Sequence, residues 1–182
     1  MAKMAGKYYT DTAQGNVFIG STAAAGVALP ISTGTAVTFG LWNTFTTKNA
    51  ALIKCTIGYT SGTIAIGDFG LANQYVGFEV GTVAPMAAAT LGTAKNALLG
   101  SGKTSAMSFI PATATLTTGG TACYWFGSSN EIATAAPGVS TCNFDFDGTC
   151  IVTPGQVVFV CGSVAQTGLF TMSLVWAEVD IT

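Results

Sequence analysis

Three short stretches of this 182-residue chain carry residue types whose spacing could do chemistry. Ala97-Leu98-Leu99-Gly100-Ser101-Gly102-Lys103-Thr104 matches a relaxed phosphate-binding loop. In such a loop backbone N–H groups and the lysine surround phosphates, and the hydroxyl holds magnesium. That chemistry needs a buried strand before the loop and a helix after it. Here the preceding stretch is Ala-rich, and Ser105 to Pro111 reads as a strand. The expected structure is a Gly-Ser turn with an exposed lysine.

Asp145, Asp147 and Gly148 superficially suggest a calcium loop, and whether the two acids bind an ion stays open at this point. The spacing fails the EF-hand pattern, since no third acid precedes the glycine and no Glu follows at the right distance. The eight acids are Asp11, Asp68, Glu79, Glu131, Asp145, Asp147, Glu178 and Asp180. None sits in a recognisable catalytic motif, although a carboxylate pair for glycoside chemistry needs no local motif.

The five cysteines are Cys55, Cys123, Cys142, Cys150 and Cys161. Their odd number and irregular spacing are no disulfide framework. There is no C-x-x-C pair and no histidine to complete a zinc site. Free, mostly buried thiols are expected. The chain has neither His nor Arg, and its six basic residues are all lysines. A Ser-His or Cys-His nucleophile is therefore impossible within the chain, and the commonest acid–base and oxyanion-stabilising groups are missing. The expectation is a protein that is not an enzyme, with no catalytic residues, no cofactor and no metal. Trp42 and Trp125 lie near turns, where an indole could stack on a sugar, whereas Trp176 belongs to a core strand.

Composition sets the frame for these residues. Charged residues make up 8% of the chain, against roughly 25% in ordinary soluble domains. Hydrophobic residues make up 49%, and the net charge is -2. So sparsely charged a surface meets little self-repulsion, and so much apolar content points to subunit interfaces. Six scattered lysines form no patch for nucleic acid. No uninterrupted apolar run reaches a membrane span of about 18 residues, and no signal-peptide pattern follows Met1. Synthesis in a cytoplasm is expected.

The elements that must position these residues read as strands. Short apolar runs bounded by Gly, Thr, Ser and Pro recur, as in an all-β sandwich or barrel. The expected organisation is an extended N-terminal arm over 1–14 and one β-sandwich domain over 15–182. Tyr8 and Tyr9 in the arm, with Trp42, are the candidate subunit-interface residues. Ala51, Ile53, Cys55, Ile57 and Tyr59 alternate with Leu52, Lys54, Thr56 and Gly58 as a half-buried strand. Ser61-Gly62 then turns the chain into Thr63-Ile64-Ala65-Ile66 as a hairpin. Asp147-Gly148 is expected as a second hairpin turn, with Phe144 opposite Ile151 and with Phe144, Phe146 and Ile151 on one face. Val157-Val158-Phe159-Val160 reads as a strand buried on both faces. Phe170, Met172, Leu174 and Trp176 alternate with Thr171, Ser173, Val175 and Ala177. Pro85 to Leu99 is compatible with a short helix or a long surface loop.

Three of these places resemble a loosely defined group of phage structural proteins: Asn49 to Gly67, the stretch Phe144-Asp145-Phe146-Asp147-Gly148-Thr149, and Pro154-Gly155 leading to Ser173-Leu174-Val175-Trp176-Ala177-Glu178-Val179. Gly6-Lys7-Tyr8-Tyr9 is similar as well. The resemblance implies an antiparallel, jelly-roll-like sandwich in a virion, on the capsid surface as a decoration or cement subunit. Its partners would be a major capsid protein and further copies of itself, as a homotrimer. Two other settings remain open: a self-assembling jelly-roll capsid or filament subunit, and a glycan- or receptor-binding head or tail fibre module.

Overall fold

The computed structural model describes residues 6–81, 85–129 and 141–181. The expected all-β architecture is present, as antiparallel sheets with one short helix. In chain order the elements are α1 (Tyr9–Ala13), β1 (Val17–Ser21), β2 (Val27–Ala28), β3 (Ala36–Val37), β4 (Gly40–Trp42), β5 (Lys48–Ser61), β6 (Gly67–Tyr75) and β7 (Met86–Ala89). They continue with β8 (Lys95–Asn96), β9 (Ser108–Ile110), β10 (Ala114–Leu116), β11 (Thr121–Ser129), β12 (Cys142–Val152), β13 (Gln156–Gly162) and β14 (Leu169–Asp180). Among the described residues no helix is long and apolar enough to cross a membrane.

Two large sheets face each other, one ordered β12-β5-β14-β1-β8 and the other β11-β6-β13-β4-β9. Eight strands carry this sandwich: β1, β4, β5, β6, β11, β12, β13 and β14. Counted along the chain from first to eighth, they run first, eighth, third, sixth across one sheet and second, seventh, fourth, fifth across the other. A third small sheet, β3-β10-β7, is built from the connections on either side of β4 and β6. It lies over the outer face of the second large sheet.

This layering explains the apolar run in β13. Val158 and Val160 join the core between the large sheets, whose members include Phe18, Leu52, Leu71, Phe109 and Trp176. Val157, Phe159 and Cys161 point the other way, into the core beneath the third sheet with Val37, Met86, Ile110 and Leu116. A strand covered on both faces needs apolar residues at every position. β14 instead alternates: Phe170, Met172, Leu174 and Trp176 are each at most 2% exposed, and its odd positions face outward. Trp176 stacks between Phe18 and Phe109, which come from opposite sheets.

Four expectations are corrected. In β5 the buried positions are Ala50 and Leu52, then Cys55 and Ile57. The alternation changes parity at Ile53, which is extra in the pairing with β14: Val175 pairs with Lys54 and Trp176 with Leu52. The hairpin over 51–66 does not form, because β5 and β6 belong to different sheets and residues 62–66 cross between them. Asp147-Gly148 does turn, with φ of 54° and 77°, but both flanks pair with β5. Asp145 lies opposite Lys54 and Cys150 opposite Leu52, so residues 146–149 bulge from one continuous strand. Ile151 is accordingly 55% exposed while Phe146 is buried. Pro85 to Leu99 forms β7, β8 and loop, with no helix.

The N-terminal segment is also not extended over its described part. Tyr8 bonds to Asp147 in β12 at one edge of its sheet, and the Asn16 carbonyl accepts from Glu178 N in β14. Between these points the chain crosses the outer face of β5 and β14 as a strap containing α1. Ala177, on that outer face, is 3% exposed.

Candidate functional site

The Gly-Ser-Gly-Lys loop folds as a tight turn. Ser101 N donates to Leu98 O at 3.0 Å, and Gly100 supplies a φ of 86°. Asn96 fastens the base: its Oδ1 accepts from Leu98 N at 2.8 Å and its Nδ2 donates to Gly15 O at 2.9 Å. Lys103 Nζ donates to Asn16 Oδ1. Two-residue β8 precedes the loop and strand β9 follows it. Among the described residues no helix N-terminus points into it, so the backbone cradle that phosphate binding requires is not built from them.

Asp147, beside Gly148, is engaged within the fold. Lys7 Nζ lies 2.5 Å from Asp147 Oδ2, and Tyr8 OH donates to Oδ1 at 2.9 Å. Hydrogen bonds from Lys7 and then Tyr8 hold the Asp147 carboxyl below its ordinary value. Asp145 faces Lys54 across the strand pair. Glu178 is 6% exposed and organises a loop: Oε1 accepts from Ser105 Oγ at 2.6 Å and from Ala106 N at 2.9 Å. Glu131 lies outside the described residues. Among the described residues no three Cys, Asp or Glu side chains gather as a metal site.

The five thiols are unpaired. Cys55 and Cys161 are buried as expected, but Cys123 is exposed. A cleft of about 260 Å³ opens where β11, β12 and β13 meet, with Asn73, Cys123, Cys150, Ile151 and Gln156 in its walls. Burial pushes the Cys123 thiol up to about 11, with Cys150 adding to the rise, and burial raises Cys150 as well. Neutral thiols are poor nucleophiles and poor metal ligands. Among the described residues no acid, base or lysine lines this cleft.

No protein-family model, curated protein or solved structure matches the chain.

The residues singled out from sequence end in different places. Trp42 is 2% exposed, lies in the core beneath the third sheet, and donates Nε1–H to Gly77 O at 2.9 Å. It is available neither as a subunit contact nor as a sugar platform; the covering comes from segments remote in sequence. Tyr8 is half-buried on the Asp147 bulge, and Tyr9 is 62% exposed. Trp125 is 45% exposed, in edge strand β11 opposite Gly70. Tyr124, Phe126, Phe144 and Phe146 form an aromatic group between β11 and β12, with ring centroids 4.9 to 6.0 Å apart. Buried Asn43 was not singled out from sequence. Its Nδ2 donates to Lys48 O at 2.7 Å and Val152 O at 3.0 Å, and its Oδ1 accepts from Phe45 N at 3.0 Å. Asn43, Asn96, Asp147 and Glu178 thus hold loops and the N-terminal strap, and the surface carries few charges.

Proposed function

We propose that this chain is a non-enzymatic virion structural protein, a decoration or cement subunit that binds the outside of a shell built by a major capsid protein. The observation that carries the reading is the strand order. Two facing sheets in which the eighth strand lies between the first and third, and the seventh between the second and fourth, are what two nested Greek keys produce; this supports a jelly roll. Jelly rolls serve as viral capsid, lectin and cupin domains. Cupin-type metal chemistry draws on histidine, which this chain lacks. The low charge favours a surface that other protein covers. Bound across neighbouring shell subunits, such a subunit stabilises the shell by mass action, whether it arrives singly or as a trimer.

The test is to add purified protein to shells that lack it and image the sedimented particles. Discrete density on the outer surface is expected. Failure to bind assembled shells, or closed shells formed by this chain unaided, would overturn the decoration role; the second outcome would make it the shell subunit. Trp125 favours one further reading, a glycan-binding fibre module, because its indole stands open to solvent beside Gly70. Glycan-array signals lost in Trp125→Ala would support that reading.

A further inference from the structure

Among the described residues, six of the sixteen large apolar side chains left in solvent lie at one end of the sandwich. β4 stops at Trp42 and β5 starts at Lys48, so a loop of five residues, 43–47, ties the two large sheets together there. The same end receives the close of β6, because Tyr75 pairs with Gln156, and the close of β14, because Asp180 pairs with Lys48. Ile181 N donates to Thr47 O, and the turn after β8 is fastened to Asn16 beside Glu178. This end presents Phe45 at 43% exposure, Tyr75 at 56%, Phe78 at 43%, Leu98 at 40%, Leu99 at 88% and Ile181 at 46%.

We infer that this end face is an interface and that its occupant is a second copy of this chain. Aromatic side chains carry about 150–250 Å² and Leu and Ile somewhat less, so three of each, about half exposed, offer roughly 500 Å². A standard interface takes about 800 Å² per partner, of which around 60% is apolar, or close to 500 Å². The largest patch on an ordinary monomer is about 300–600 Å² and is often functional.

The charges at this end choose the partner. Lys48 pairs with Asp180 at 3.2 Å, while Lys103 keeps its charge on the neutral Asn16 amide and exposed Glu79, beside Phe78, carries the opposite one. With two charges of each sign the face shows no net sign that would select an acidic or a basic partner, and a chain of net charge -2 repels its own copies weakly. The loops of the face are already hydrogen-bonded, so little ordering is needed on contact. Leu99, at the tip of its turn, is the most exposed of the six and the natural anchor.

Sedimentation velocity over a concentration series tests this. The wild type is expected to self-associate, and L98S/L99S to weaken association at least about tenfold with an unchanged melting temperature. Ile66→Ser, at the opposite end, is the control and should leave association unchanged. A wild type that stays monomeric at all concentrations, or L98S/L99S associating as the wild type does, overturns the inference. Neither result bears on shell binding, which the particle assay measures separately, so the two readings fail independently.

Discussion

Asp147 has two roles. Its backbone sits at φ 54°, in the left-handed region, and its carboxylate clamps the N-terminal strap through Lys7 and Tyr8. The clamp sets a pH window. Asp147 is held below its ordinary value of 3.8, so its contribution is complete above that value and is lost as pH falls through the lowered one. Lys7 is raised above 10.5, mainly by its hydrogen bond to Asp147, so its contribution is complete below that value and is lost as pH rises through the raised one. NMR of the Tyr8 ring should therefore report a transition below pH 3.8, and Asp147→Asn should abolish it. Asn tolerates the left-handed backbone best after Gly, so the turn itself should survive. Global stability should hardly change, since the pair is exposed, while proteolysis near 6–14 should become faster. A ring that titrates identically in Asp147→Asn would show that another group moves it. Asn43 is the buried counterpart. Asn43→Ala would strip partners from Lys48 O, Val152 O and Phe45 N, and should cost about 3 kcal/mol or more in denaturant unfolding, since each orphaned group costs about 1–3.

Contact between the large sheets depends on a missing side chain. A Cβ on Gly20 of β1 would lie 2.4 Å from the Phe109 ring of β9, and that ring also stacks on Trp176 and meets Phe39 edge-on. Gly20→Ala should therefore cost about 1–3 kcal/mol by overpacking. Phe109→Leu should cost about as much alone, and the double variant should be more stable than the sum of the two losses implies. Strict additivity in the thermodynamic cycle would show that the two residues do not meet. Legibility in the sequence follows the same line between local and remote causes. β13 and β14 were readable because burial on two faces and on one face write different patterns into consecutive residues. The Asp-Gly turn was readable from its backbone requirement. That it bulges from one strand was not, because β5 supplies the partner for both flanks. The parity change at Ile53 was hidden for the same reason, since a bulge is defined by the neighbouring strand. Trp42 read as a surface residue because the sheet that buries it comes from residues 36–37, 86–89 and 114–116. The fate of the lysine in Gly100-Ser101-Gly102-Lys103 was half legible: absence of a following helix was visible, its bond to Asn16 was not. The end face was invisible, since its side chains come from separate loops that only the closed sandwich brings together.

At the scale of the whole molecule, charge is the scarcest resource, and the fold uses part of it internally. Of the five described lysines, Lys7 and Lys48 are in ion pairs and Lys103 is bonded to Asn16. Lys54 and Lys95 remain on the sheet that contains β14, opposite Asp145 and Ile19 respectively. A contact made by such a molecule has little Coulomb attraction for salt to screen, whereas burial of apolar surface strengthens when an excluded salt is added. If the chain decorates a shell, its affinity should change by less than about threefold between low and moderate NaCl, where the screening length contracts from about 30 Å to 10 Å or less. Sodium sulfate at equal ionic strength should tighten binding, because sulfate favours burial beyond its effect on screening. Titration of empty shells with labelled protein under the three conditions measures both effects. Binding that collapses in NaCl would place the contact at the charged face around Lys54 and Lys95 instead, and Lys54→Gln should then weaken it. Binding that ignores NaCl and gains in sulfate would assign the contact to apolar surface such as that around Phe45, Leu98 and Leu99.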